Sequence, residues 1–339
     1  MTQNKQGKGL IRLGWLTVVV VYIVNLSGFV DTLTGSVTGC GKSWPLCNGA
    51  IAPWTWDIHA WIEFGHRSLV FSMTVMVIAL AALAWRRYGD NRFIRLWVQL
   101  AIIAIAMESF LGALSVFDFN PPALMAAHMG IALLSYGALL ALTVTFQQIR
   151  RGDSSSTNEA IPNPTRKWAW LLLIYLYIDI YVGAYVSSTG AGGFFRGLLL
   201  PRETYSEAGQ SLVIDTIHRS FTLGLVIIAA RLVQLSYGYR TQLPGYFKGS
   251  AAVAALVVLQ ALSGVYMVHA HLSFVSVLLH VANVSLMYGM VVYLCVQGIH
   301  VTRSKRVKVR KTRELSISMS QVMAIIDQQS DPASPTLKR

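Results

Sequence analysis

Two short motifs place an acid, an imidazole and a guanidinium at helical spacing: Glu63-Phe64-Gly65-His66-Arg67 and Asp215-Thr216-Ile217-His218-Arg219. Residues three or four apart share one face of a helix, so each acid lies beside its His and its Arg. Both motifs open a long apolar run, and ionisable groups entering a bilayer are costly enough to mark function. Two further histidines, His128 and His280, each follow 62 residues after the first of their pair. His66 and His128 fall about six and seven residues inside apolar segments, roughly 10 Å below the same end at 1.5 Å per residue, and much the same holds for His218 and His280. Two imidazoles at one depth on neighbouring helices can clamp a metal from both sides, as in a bis-histidine haem. Zinc suits the pattern less, because tetrahedral zinc sites gather more Cys, His or carboxylate ligands in one cluster.

Other residues offer chemistry with less to separate function from structure. Cys40 and Cys47 bracket a Gly- and Pro-containing turn in an outward loop, where the compartment favours disulfides. The pair reads either as a loop staple or as a redox-active pair beside the site. Cys295, deep in the last apolar run, reads as a buried apolar residue. Glu108 and Asp179 lie within apolar runs and are either proton-handling groups or paired structural acids. Asp31, at a helix end, is a weaker candidate. His59, His269, His271 and His300 fall at loops or helix ends and read as interfacial residues.

The elements that must position these groups follow from composition. Of 339 residues, 54% are hydrophobic and 13% charged, with mean hydropathy +0.51. Soluble domains carry about a quarter charged residues, so this is a polytopic membrane protein. A helix needs roughly 20 apolar residues to cross the hydrocarbon core. Eight segments qualify, at 10–31, 61–86, 93–117, 121–148, 167–188, 210–236, 248–269 and 272–299. No Ala-x-Ala site follows the first, which therefore reads as a spanning segment rather than a cleaved leader. The net charge of +13 does not point to nucleic acid. Its Lys and Arg cluster at the start of the first segment, at alternate junctions and after the last, which places those sites and both termini in the cytoplasm.

The chain is also an internal repeat. His66 and His218 are 152 residues apart, as are His128 and His280, Gly112 and Gly264, and Glu108 and Gln260. Each copy holds four segments, an even number, so both copies have the same orientation in the membrane. The expected fold is an all-α membrane protein with eight transmembrane helices, built as two tandem four-helix bundles related by a pseudo-two-fold axis along the membrane normal. An N-terminal half spans 1–151, a polar cytoplasmic linker 152–166, a C-terminal half 167–300 and a basic cytoplasmic tail 301–339.

Thr34-Gly35-Ser36 and the stretch Gly39-Cys40-Gly41-Lys42-Ser43-Trp44-Pro45-Leu46-Cys47-Asn48-Gly49 resemble the first outward loop of bacterial haem A synthases. Ile62-Glu63-Phe64-Gly65-His66-Arg67 resembles the start of that family's second helix. Leu111-Gly112-Ala113-Leu114 and Ala127-His128-Met129-Gly130 are similar to its third and fourth. The resemblance implies an eight-helix plasma-membrane enzyme that oxidises the C8 methyl of haem O to a formyl group, giving haem A for terminal oxidases. It further implies His66 and His128 as ligands of the substrate haem O, and His218 and His280 as ligands of a cofactor haem b. Glu63 matches the family's essential carboxylate, and Cys40 and Cys47 its disulfide-forming pair. The expected partners are haem O and the lipid bilayer, with docking to a haem O synthase, an oxidase assembly factor or a second copy of the chain. The sequence departs from the family at Ser27-Gly28, where a Gly-Gly pair is common, at Glu108, where Gln is frequent, and in a second outward loop without cysteines.

Two other readings compete. A diheme b-type electron-transfer cytochrome would need the four histidines but neither Glu63 nor the cysteine loop. A transporter would account for the parallel repeat but not for depth-matched His pairs.

Overall fold

The computed structural model describes residues 2–54, 57–117, 121–151, 161–193 and 203–299. Residues 152–160 of the expected linker, the loop at 118–120, His300 and the tail at 301–339 lie outside the described residues. Helices occupy nearly all of the described chain: α1 (Thr2–Leu33), α2 (Ile58–Tyr88), α3 (Arg92–Val116), α4 (Pro122–Arg151), α5 (Asn163–Thr189), a short α6 (Tyr205–Ala208), α7 (Gln210–Tyr237), α8 (Pro244–His269) and α9 (Phe274–Gln297). All but α6 are long and apolar enough to cross a membrane. The chain is a multi-pass membrane protein.

Several helices run past their apolar stretch because local signals, and not hydrocarbon thickness, end them. Asp57 accepts the His59 N–H at 3.0 Å and starts α2 before Trp61. Asn91 accepts the Phe93 N–H at 2.9 Å at the head of α3. Pro164, in the first turn of α5, needs no partner for its missing N–H, so that helix starts at Asn163, inside the expected linker. Gly190, with φ of 69°, adopts the left-handed conformation that closes α5.

In the first half α1 packs on α2 and α4, α2 on α3, and α3 on α4; α5, α7, α8 and α9 repeat this pattern in the second. The halves meet where α4 touches α5 and α9, and where α1 touches α9. Exchanging the halves maps this set of contacts onto itself, which is compatible with a pseudo-two-fold axis along the membrane normal. Close to such an axis, Tyr136 of α4 lies over Gly289 and Tyr288 of α9 lies over Gly137. Both pairs obey the 152-residue offset. A Cβ on Gly289 would fall 2.6 Å from the Tyr136 hydroxyl, so the glycines admit the rings.

Helix α4 is buried continuously from Ser135 to Phe146, as expected of a helix apolar all round at the centre of a bundle. The outer helices instead expose apolar stripes toward lipid. Phe71 and Val75 of α2 are exposed, and so are Leu223 and Ile227 at the repeated positions of α7.

Candidate haem-ligand sites and their cysteine loop

Each of the four intramembrane histidines is half-buried, and three of them, His66, His218 and His280, are held through Nδ1 by a neighbouring helix. His66 on α2 sits 2.8 Å from the Ser27 hydroxyl of α1. That hydroxyl already donates to the Val24 carbonyl at 2.8 Å, so it accepts the His66 Nδ1–H. The Nε2 lone pair is then left for a metal. The same logic holds for His280 on α9. The Ser263 hydroxyl donates to the Gln260 carbonyl and accepts from His280 Nδ1, both at 2.9 Å. His218 on α7 has its Nδ1 at 3.1 Å from Asp179 Oδ1 on α5. His128 Nδ1 on α4 lies 3.3 Å from Glu108 Oε2 on α3, a close contact short of hydrogen-bond geometry. Ring nitrogens fixed in this way set tautomer and ring orientation, as partners of metal-ligating imidazoles do.

A glycine on the adjacent helix faces each ring. A Cβ would fall 3.2 Å from His66 Cε1 at Gly28, 2.9 Å from His218 Cε1 at Gly183 and 3.4 Å from His280 Cε1 at Gly264. At Gly112 it would fall 3.8 Å from His128 Cε1. A side chain at Gly28 or Gly183 would crowd the imidazole, whereas at Gly264 and Gly112 a Cβ would make ordinary contact with it. His66 interacts electrostatically with His128, and His280 with His218. Within each half the two rings thus come within electrostatic reach of each other.

The residues fit a bis-imidazole haem in each half, with one adjustment. His280 Nε2 also accepts from the Gln260 carboxamide at 2.9 Å, and Gln260 Oε1 accepts from Asn283 at 2.7 Å. A haem iron held by His280 Nε2 would replace that donor, and Gln260 would have to turn aside. Among the described residues no three His, Cys, Asp or Glu side chains converge on one point, the arrangement zinc would need.

Outside the first pair, the cysteine loop is strapped onto α2. Cys40 and Cys47 form a disulfide, and both are buried. Glu63, only 3% exposed, accepts the Cys40 N–H through Oε2 at 2.6 Å and pairs through Oε1 with Arg67. Arg67 donates onward to the Leu46 carbonyl at 2.8 Å. The i,i+4 pair of acid and Arg thus holds both ends of the disulfide loop. The second half repeats the pair, with Arg219 Nε 2.6 Å from Asp215 Oδ2. The stretch between α5 and α7 has no cysteine to fasten.

Other histidines and the third cysteine lie away from these pairs. His59 Nδ1 meets Ser36 at 3.0 Å at the loop, and exposed His269 caps onto the Val265 carbonyl at 3.0 Å. Cys295 is a buried free thiol directed at the Ala169 carbonyl, 3.3 Å away.

Sequence reasoning passed over Ser27 as a ligand partner. The repeat carried the signal: Ser27 and Asp179 are 152 residues apart, and each is 39 residues before the histidine it holds. Asp179, left open between proton handling and structural pairing, holds His218. Asp31, ranked lowest of the acids, is 94% buried and stands near Glu63 and Arg67.

Comparison with known proteins agrees with this architecture. The sequence pattern of the COX15-CtaA family, cytochrome oxidase assembly protein, matches residues 11–208. The chain is 28% identical over 309 residues to Heme A synthase of Staphylococcus carnosus, covering 88% of this chain and 97% of that protein. It is 28% identical to Heme A synthases of Staphylococcus epidermidis over 298 residues and of Staphylococcus haemolyticus over 307 residues, with 97% and 98% of those proteins covered. The family pattern takes in the cysteine loop, the Glu63 motif and His128, and the likeness to these relatives continues through the second histidine pair. With more than half of its length matched and its relatives covered almost end to end, the chain belongs to the COX15-CtaA family of cytochrome oxidase assembly proteins.

Proposed function

We propose that the chain is a haem A synthase that oxidises the C8 methyl of haem O to a formyl group. The observation that carries this reading is the asymmetry between two otherwise repeated sites. Both halves hold a pair of half-buried imidazoles, but only the first adds a buried carboxylate fastened to a disulfide loop. That makes the first half the reacting site, with His66 and His128 as ligands of the substrate haem O. His218 and His280 hold a haem b, which supplies reversible one-electron transfer when bound.

The chemistry asked of the first site is a pair of two-electron oxidations. Converting the methyl to a hydroxymethyl consumes one water and releases two electrons and two protons; the next oxidation gives the aldehyde. Electrons leave for an external acceptor of the quinone or dioxygen class. Positive charge builds at the methyl carbon as electrons depart, and a fixed carboxylate nearby stabilises it. Glu63 lies one helical turn outward of His66 on the same face of α2, within reach of the edge of a haem held there. In this reading water supplies the new oxygen. Labelled water in an aldehyde trapped before exchange supports it, and label from oxygen gas alone refutes it.

The clusters of Lys and Arg support a topology with both termini in the cytoplasm and the cysteine loop on the outer face. A haem O synthase, an oxidase assembly factor or a second copy of the chain would dock from within the same membrane. The deciding experiment is expression with a source of haem O, followed by pigment extraction and mass analysis. Haem A in the extract supports the synthase. Two bound b-type haems with no haem A would establish the electron-transfer cytochrome instead.

A further inference from the structure

A buried carboxylate oxygen with no partner is rare, and in a membrane-spanning segment it calls for an explanation. Asp31 supplies one. Its side chain is 6% exposed, and its Oδ1 is buried without a hydrogen-bond partner. It sits in the last turn of α1, where its own carbonyl is taken by the Ser36 N–H at 2.8 Å.

The position of Asp31 relates it to the first histidine pair. Ser27, which holds His66, is four residues earlier, and Gly28, which faces the His66 ring, is three residues earlier. Asp31 therefore lies on the same face of α1, about one turn further outward. Glu63 occupies the matching place on α2, one turn outward of His66. Asp31 lies within electrostatic reach of both Glu63 and Arg67. The repeat puts Gly183 at the position of Asp31 in the second half, so this carboxylate belongs to the first half alone.

The two acids are not equivalent. Both oxygens of Glu63 already accept, one from the Cys40 amide and one from Arg67. A proton arriving there must displace a partner that also holds the disulfide loop. Asp31 Oδ1 displaces nothing.

We propose that Asp31 is the proton acceptor of the first-half site, while Glu63 serves as fixed negative charge. When water adds to the oxidised methyl carbon, a lone pair on its oxygen forms the new C–O bond. One O–H bond breaks, its electron pair stays on that oxygen, and the proton passes to Asp31 Oδ1. The inference rests on the haem O oxidation proposed above, which supplies the electrophilic carbon and the electron acceptor.

The test uses the full chain, purified with haem O, in wild-type form and as Asp31→Asn and Asp31→Glu. Haem loading is read by absorbance, and conversion by mass analysis of extracted haem. Asp31→Asn is expected to load haem O as the parent does and to convert it about 10²–10⁴-fold more slowly, the range for loss of a general base. Asp31→Glu restores a base at the same place and is expected to recover much of the rate at equal loading. A merely structural acid would not give that recovery. The proposal is overturned if loaded Asp31→Asn protein converts haem O at the parental rate. It is equally overturned if Asn and Glu variants are impaired alike, or if Asp31→Asn folds but no longer loads the substrate haem. Failure of the wild-type chain to convert haem O would instead refute the function on which the proposal rests, and that outcome needs no variant.

Discussion

Replacing Glu63 by Gln keeps the side chain's size but exchanges one acceptor oxygen for a donor nitrogen. The remaining oxygen can still accept the Cys40 N–H, so the amide nitrogen is turned toward Arg67, donor against donor. The change removes one hydrogen bond to a charged group, worth about 1.5–3 kcal/mol. An exposed helical i,i+4 pair would lose only about 0.3–0.5 kcal/mol. The larger figure applies because Glu63 is only 3% exposed and no water stands ready to replace its partner. Arg67 keeps the Leu46 carbonyl, so the loop is weakened and not released. The effect on rate is separate. Removing one preorganised electrostatic partner of a developing charge costs about 10²–10³-fold. The assay therefore needs two readings on the same preparation: the thermal midpoint, and haem A formed per bound haem O. The expected result is a modest fall in the first and a large fall in the second. If the Gln variant loads haem fully and converts it at the parental rate, Glu63 is only the strap of the cysteine loop, and the charge-stabilising role is refuted.

Three further outcomes are expected. His218→Ala or His280→Ala should abolish the low-spin haem b signal while the membrane fold persists, because one lost imidazole leaves the iron five-coordinate; reduced-minus-oxidised spectra check this. Asp179→Asn should weaken haem retention in the second half by about 10–100-fold, the usual cost of losing a partner to a ligating imidazole. Titrating haem b into the apo-protein measures it, and unchanged affinity would mean that the bond to His218 Nδ1 is idle. Alkylation before and after reduction should find Cys40 and Cys47 protected in the native membrane. Cys295 should react only once the protein is unfolded, since it is buried against Ala169.

Apolar length is a local property of the chain, so the eight spanning segments could be read from the sequence to within a few residues at most ends. The largest discrepancy is at the start of α1, expected at 10 and found at Thr2; smaller ones lie where capping groups outrank hydropathy, as at Asp57 and Pro164. The repeat was equally legible, because a duplication leaves matched residue types at a constant offset however the helices pack. It also exposed the four histidines and the paired acids and arginines, which are costly in a membrane and therefore conspicuous.

What the sequence could not decide is how each helix is turned about its own axis and which neighbour it meets. The apolar periodicity of a membrane helix is weak, since both lipid and protein accept the same side chains. Only the tertiary structure brings Ser27 to His66 Nδ1 and Asp179 to His218 Nδ1. Only packing threads the Cys40 amide onto Glu63, so that both oxygens of the acid are engaged. The same packing buries Asp31 beside it with an oxygen to spare. Residue types and spacing determined which groups the membrane must tolerate; contacts between helices distant in sequence decided which of those groups are bound and which are left to act.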